Sequence, residues 1–470
     1  MKYKAFSVFM ILALMVALLG FTTSAKAAAY GTNFTTSITY QNVGTGSATI
    51  SLDFYSQASG TPINITLPAL AANAGSSLFV GSLTQVSSGF KGSAVMSSDQ
   101  PLVATLVQVP PTGSVVTSRP LSNSFSGGAA SVLVPTALKN QFGYTSMISI
   151  QNVDTVGADL TVEMIPVSGT TITDTVTNLP SGAAKYYDMG TFITGATFNG
   201  SVRVTAKKTG TSTPGSIVGT SLETGTTGNL AYAFEGATEF SNKVYMPSAF
   251  CRWLASQYYS YYAVQNVGTS PIDFTVTYSN GKSESYLAIA GGAKVSVSGC
   301  GKTNNLNPNG FIGSAIITAT GPVAAMGKIQ NSAGLATAFI GFNSAGSKIA
   351  LPYVRWTTSQ WTNNVRQRAY LAIQNIGAAD LAAGTVTVKY YDKDGVLKGT
   401  HTLGAIAIGA KVNSDASTAG ALTSGEFGYY GTAYGGSAVV EGPSGSNLAV
   451  VVRVQSVSSG EDYNGFTIAP

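Results

Sequence analysis

Charge is scarce in this chain. Asp, Glu, Lys and Arg make up 10% of its 470 residues, against roughly 25% in ordinary soluble domains. Setting aside Lys2, Lys4 and Lys26 near the N-terminus leaves 22 basic and 20 acidic residues. A nucleic-acid binder carries a concentrated basic footprint, and no such cluster occurs, so that class is excluded. The surface is left to Ser, Thr, Asn, Gln, Gly and Tyr. Weak self-repulsion of this kind suits extracellular fibres and layers in which subunits pack closely.

Residues that do chemistry are equally few. The chain has one histidine, His401, in the alternating segment Gly399-Thr-His-Thr-Leu403, where a lone His reads as a surface strand residue rather than a base. Two cysteines and one histidine are too few for a closed zinc site. No H-E-x-x-H, G-x-S-x-G or phosphate-binding glycine pattern is present. Asp392-Lys393-Asp394-Gly395 has the opening of a calcium loop but lacks its far-end Glu, and it falls where the other repeats place a plain hairpin. Acids are sparse, and none recurs at one position in every repeat. The expectation is a protein that is not an enzyme, with no catalytic, cofactor or metal residues.

The N-terminus has what the rest lacks, a long apolar run. Lys2 and Lys4 precede uncharged Ala5 to Phe21, and Ala25-Lys26-Ala27 supplies a small-residue exit. That is the order of a secretory signal peptide; as a membrane anchor the run is slightly short. No second such run follows, so no membrane span is expected in the mature chain, and the protein is expected outside the cell or at its surface.

The strongest signal is internal. Tyr40-Gln41-Asn42-Val43-Gly44 returns as Ile150-Gln151-Asn152-Val153-Asp154, as Val264-Gln265-Asn266-Val267-Gly268 and as Ile373-Gln374-Asn375-Ile376-Gly377, at steps of 110, 114 and 109 residues. A second phrase keeps the same register: Phe90-Lys-Gly92-Ser93, Phe198-Asn-Gly200-Ser201, Phe311-Ile-Gly313-Ser314 and Tyr434-Gly-Gly436-Ser437. Around each phrase, β-branched and aromatic residues alternate with polar ones, which is strand patterning. Ser279-Asn280-Gly281 and Asp392 to Gly395 mark hairpins. An apolar tripeptide and proline close each repeat, as Val132-Leu-Val-Pro135, Val244-Tyr-Met-Pro247, Ile349-Ala-Leu-Pro352 and Ile468-Ala469-Pro470.

About seven strands in each ~110 residues, with turns every ~8–12 residues, is the profile of an immunoglobulin-like sandwich. The expected organisation is all-β: signal peptide 1–27, then β-sandwich repeats 28–135, 136–247, 248–352 and 353–470. Each is large enough to bury its own core, as beads on a string. The repeats resemble the immunoglobulin-like repeats of bacterial secreted and cell-surface proteins. That resemblance implies a structural or adhesive surface role and transfers no catalytic residues.

Three sets of residues stand out. Cys251 and Cys300 are expected to form a disulfide in an oxidising compartment. Arg252 and Trp253, then Arg355, Trp356 and Trp361, each follow an inter-repeat proline. There they either cement neighbouring repeats, since Trp and Arg favour buried interfaces, or offer flat rings to a glycan. The third set is the tail, Phe466, Thr467, Ile468, Ala469 and Pro470, an apolar–Pro strand with nothing after it; the first repeat has no such strand before it. Strand addition between molecules would then give head-to-tail self-association. The leading functional expectation is a subunit of an extracellular filament, sheath or surface layer; the alternative is an adhesin or carbohydrate-binding protein.

Overall fold

The structure is a computed structural model that describes residues 28–470 apart from Ala58, Asn304, 359–365, 429–435, Val457 and Pro470. The expected leader, 1–27, and Trp361 lie outside the described residues. The rest is nearly all strand; its helical pieces are single turns at Val80–Ser82 and Met189–Phe192.

Alternation in the sequence becomes alternation of faces. In Ala48–Ser56, Ala48, Ile50, Leu52 and Phe54 are buried while the residues between them are half-buried or exposed, because successive side chains of a strand point to opposite faces. All strand pairings are antiparallel, and they fall into four similar sets. In each, a Gln-Asn strand (Thr35–Asn42, Tyr144–Asn152, Tyr259–Asn266 or Gln367–Asn375) lies between two neighbours. Gln41 pairs with Val103 and Gly75, Gln151 with Val218 and Ala184, Gln265 with Ala324 and Lys294, and Gln374 with Ala449 and Lys411. A second group of strands packs over this one. In the third set the 20-residue strand Phe311–Gln330 belongs to both groups, so the two merge into a seven-stranded sheet. A hydrophobic cluster fills each set, and three of the four also take in side chains of a neighbouring set.

The asparagine of each repeated phrase is a plug. Asn42, Asn152, Asn266 and Asn375 are all buried. Each Nδ2 donates to the carbonyl four residues ahead (Gly46, Val156, Ser270, Ala379) and to a second carbonyl about 25–30 residues on (Leu70, Leu179, Ile289, Ile406), at 2.8–3.0 Å. Each Oδ1 accepts the N–H two residues ahead, from Gly44, Asp154, Gly268 and Gly377. One amide thus closes a turn and ties it to the strand that crosses above. The second repeat manages with Asp at the turn, so the position needs the N–H and not the glycine.

The expected repeat limits need correction. Ser131–Lys139, Ser241–Cys251 and Lys348–Val354 carry the apolar–Pro phrases, and each pairs with the Gly-Ser strand that follows it rather than with the strands before it. Cuts at Pro135, Pro247 and Pro352 therefore pass through strands. In every case the register shifts at the proline, between Gly200 and Val202, Met246 and Ala249, or Leu351 and Val354. A bulge is where a residue without an N–H fits a sheet. The beads-on-a-string expectation also fails, because the sets pack against one another.

Cys251 and Cys300 are joined by a disulfide, 49 residues apart, in the third set. Reducing it is expected to lower the stability of that set by about 4 kcal/mol, read by chemical denaturation with and without reductant; an unchanged midpoint would contradict this. Asn152→Ala orphans two buried carbonyls and an N–H, and is expected to cost about 3 kcal/mol in the same assay; a loss below about 1 kcal/mol would contradict the plug.

Candidate functional site

Where the sequence points to no reactive centre, the contacts between sets are the place to look. Four recur, and together they close a ring. The Gly-Ser strand of each set meets the Gln-Asn side of the next. Ser93 Oγ donates to Gly182 O and the Tyr186 hydroxyl donates to Gly92 O, joining first to second. Gln265 Nε2 donates to Ser201 Oγ, joining second to third. Lys411 Nζ donates to Gly313 O, joining third to fourth. Gln41 Nε2 donates to Ser437 Oγ at 2.9 Å, and Gly75 N–H to Lys393 O at 3.1 Å, joining fourth back to first. The faint calcium loop is used here: Asp392 Oδ1 accepts the N–H groups of Asp394 and Val396, and this hairpin meets the first set.

The ring has a polar middle, built from the strands Leu121–Asn123, Ala231–Glu235, Ala336–Ile340 and Gly460–Asn464. Asn464 is the hub: it exchanges hydrogen bonds with Asn123 and, through both atoms of its amide, with the Ile340 backbone. The Glu235 carboxylate accepts the Asn123 N–H. These residues line a partly open cavity of about 230 Å³ that also holds Glu239, Asn343 and Ser344. Away from the middle, ion pairs lock neighbours together. Glu223, fully buried, pairs with Lys328, and Glu461, 2% exposed, pairs with Arg119 at 2.8 Å. Tyr232 donates to Gln330 Oε1 at 2.8 Å, and Lys294 Nζ to Thr136 Oγ1 at 3.0 Å.

Burial pushes the Glu235 carboxyl up to about 7, against the pull of the Asn123 N–H. Burial likewise lowers Lys294, to about 7.

The aromatic residues of the third set lie beside its contact with the fourth: the Arg453 guanidinium sits over Phe250 and the Tyr258 hydroxyl donates to Gln455 Oε1 at 3.5 Å. Trp253 packs on Phe250 and Tyr258, and Trp356 meets Tyr370 and lies under the Arg368 guanidinium. Arg355 is buried, 1% exposed. It donates to Gly428 O and stacks on Tyr353, whereas Arg252 reaches outward to Asn309. The aligned arginines therefore do different jobs. Around the tryptophans lies a half-exposed strip, with Tyr261 and Tyr370 each 38% exposed and Tyr259 stacked on Tyr261. The tail is also placed: Phe466 and Thr467 pair with Ala350 and Ile349 of their own chain, Ile468 N–H donates to Lys348 O, and Ala469 is exposed.

His401 is held by structure. Its Nδ1 is 2.9 Å from Ser414 Oγ, which also meets the Tyr390 hydroxyl. Ser414 is 1% exposed, so its oxygen does not face solvent. Among the described residues there is no group of three or more His, Cys, Asp or Glu side chains placed to hold a metal, and no helix is long and apolar enough to cross a membrane.

Sequence reasoning missed the axial and ring residues. Asn123, Glu235, Ile340 and Asn464 occupy the same position in four strands, but only two of them are the same residue type, so no repeated phrase marks them.

No family model and no curated protein matches the chain. Among solved structures, one named "Biofilm associated protein - BSP domain" aligns over 94% of this chain and 92% of that one, at 8% identity and a TM-score of 0.13. A superposition at that level carries no argument.

Two predictions follow from the ring. Arg119→Ala leaves Glu461 buried without its ion pair and is expected to cost about 3 kcal/mol and to loosen the first set from the fourth. Denaturation together with limited proteolysis reads both effects; unchanged stability would contradict a closed ring. For Glu235 the folded state prefers the protonated acid. Its stabilising effect is therefore full below about pH 4.5 and is lost as pH rises to about 7, the direction that linkage requires when the folded state binds more protons. Glu235→Gln keeps the acceptor oxygen, so its melting temperature should exceed that of the parent above pH 7 and converge with it near pH 4. The opposite ordering would refute this.

Proposed function

We propose that the chain is an exported, non-enzymatic structural protein of the cell exterior. In this reading a signal peptide, 1–27, precedes four tandem immunoglobulin-like sandwich units, each opening just ahead of its apolar–Pro strand where it has one. The protein then serves as a subunit of a filament, sheath or surface layer. One observation carries the reading: the residues that recur in all four repeats are spent on structure. The asparagines and three of the glutamines are buried, Gln151 is half-buried, and every glutamine is bonded to main chain or to a neighbouring set. The glycine and serine of the second phrase lie at contacts between sets. What repetition has kept is shape and packing, and a low-charge surface permits close apposition of copies.

A second reading, a glycan-binding adhesin, has the aromatic strip in its favour. The Tyr258 hydroxyl is 3.5 Å from Gln455 Oε1, and Gln455 pairs with Arg368, which lies over Trp356, so the strip runs from Trp253 and Tyr261 across to Tyr370 and Trp356. Exposed flat rings are the surfaces on which sugar faces stack.

Cell fractionation with N-terminal sequencing, and electron microscopy of the purified protein, test the first reading. The expected result is abundant protein outside the cell, starting at about Ala28, in ordered assemblies. Cytoplasmic protein, or a low-abundance monomer retained on a glycan column and released by Tyr261→Ala with Tyr370→Ala, would overturn it.

A further inference from the structure

Three of the four sets are complete in a way that the first is not. In the second, third and fourth, the Gly-Ser strand has a neighbour on each edge: a hairpin strand on one and the apolar–Pro strand on the other. In the first, Gly92–Ser98 pairs with Ala48–Ser56, and the sheet ends there, in the order Pro62–Leu70, Ala48–Ser56, Gly92–Ser98. Among the described residues nothing pairs with its outer edge. The described residues just ahead of Thr35 go elsewhere: Ala29 N–H and Tyr30 N–H donate to Gly228 O and Gly225 O of the second set.

The missing strand leaves a mark on the core. Val202 and Val204, Ala315 and Ile317, and Ala438 and Val440 point inward beneath an apolar–Pro strand and are each 0–1% exposed. Their counterparts Ala94 and Met96 are only half-buried. Ala94 and Met96 pack only as partly buried neighbours of the first set's cluster, so apolar surface is left uncovered along this edge. The register of the other sets also tells which main-chain groups are free. Leu133, Tyr245 and Ala350 bond away from the Gly-Ser strand, to Ala237, Phe342 and Phe466. The residues flanking them therefore bond toward it, opposite Val202 and Val204 or their equivalents. By that alternation the N–H and C=O groups of Ala94 and Met96 face the open edge. Unpaired main chain beside exposed apolar side chains is a template for strand addition.

We propose that this edge receives an extended strand from a second copy of the chain, the tail Phe466–Ala469, so that molecules join head to tail. The three filled slots show which occupant fits, an alternating apolar strand of this same chain. In the tail, Phe466 and Ile468 alternate with Thr467 and Ala469, which supplies one apolar face. At home the tail is lightly held, by two residue pairs and one further hydrogen bond, with Thr467 and Ala469 exposed. A donor strand exchanged between identical partners without closure gives a filament. The inference rests on the extracellular structural reading and supplies its assembly contact.

Two variants of the full chain separate donor from acceptor. Ala94→Pro removes an N–H from the open edge while Ser93 and Val95 keep their pairing with Ala48–Ser56. Deleting 466–470 removes the donor. Sedimentation velocity across a concentration series, with melting curves to verify folding, is the measurement. The parent is expected to form a ladder of oligomers; each variant alone loses every species above monomer; an equal mixture forms dimers and stops there, because one partner lacks the slot and the other the strand. A parent that stays monomeric at all concentrations, or a ladder that survives in either folded variant, overturns the proposal. So does amide exchange showing Ala94 and Met96 protected by residues 1–27 of the same molecule. Export is scored separately by fractionation, so a protein found outside the cell that fails to assemble overturns the contact and leaves the extracellular reading standing.

Discussion

A single buried amide, used four times, sets the geometry on which everything else in this protein rests. The asparagine after each repeated glutamine is the only side chain in its turn long enough to reach a carbonyl four residues ahead and a second on the strand above, yet short enough to accept an N–H two residues on. Buried main-chain groups must be paired, and this one side chain pairs three of them where two strands part company. With that corner fixed, the Gln-Asn strand enters its sheet in one register, and alternation then decides which side chains form the core. The glutamine beside it faces the other way, toward Asn73, Gly182, Gly292 or Gly409, and in two sets also reaches a neighbour's serine. The phrase therefore fixes both the inside of a repeat and its attitude to the next.

The same contact made four times by similar units either runs on as a line or closes. Here it closes within one chain, and the closure concentrates polar side chains at the middle. Buried ion pairs add little net stability but are costly to break. Glu223 with Lys328 and Glu461 with Arg119 thus act chiefly to specify how the sets sit, while hydrophobic clusters supply the stability.

Much of the fold was legible. Repetition gave the number of sets, alternation gave the strands, and a lone pair of cysteines gave the disulfide. Two things were not legible, for physical reasons. Whether Val132–Pro135 belongs to what precedes or follows it depends on long-range pairing with Val202 and Val204, and a local apolar phrase carries no record of its partner. The ring was hidden because its contacts join main-chain carbonyls such as Gly182 O and Gly313 O to side chains whose types vary between repeats. The tryptophans were marked by recurrence after a proline, which gives a place in the sequence but not the partner, here Arg453 and Gln455 of the fourth set beside Phe250 and Tyr258. The candidate site was correspondingly the least readable part, since Glu235 and Asn464 share a position and no common residue type.

The functional account is of a self-closed, low-charge β scaffold whose recurring residues serve packing, and closure is its central claim. Small-angle scattering of the purified protein at a dilution where it is monomeric tests this most directly. A compact chain of this length should give a radius of gyration of about 23 Å, with a single symmetric peak in its distance distribution. A value roughly double that, with the long tail of four units in a row, would contradict it.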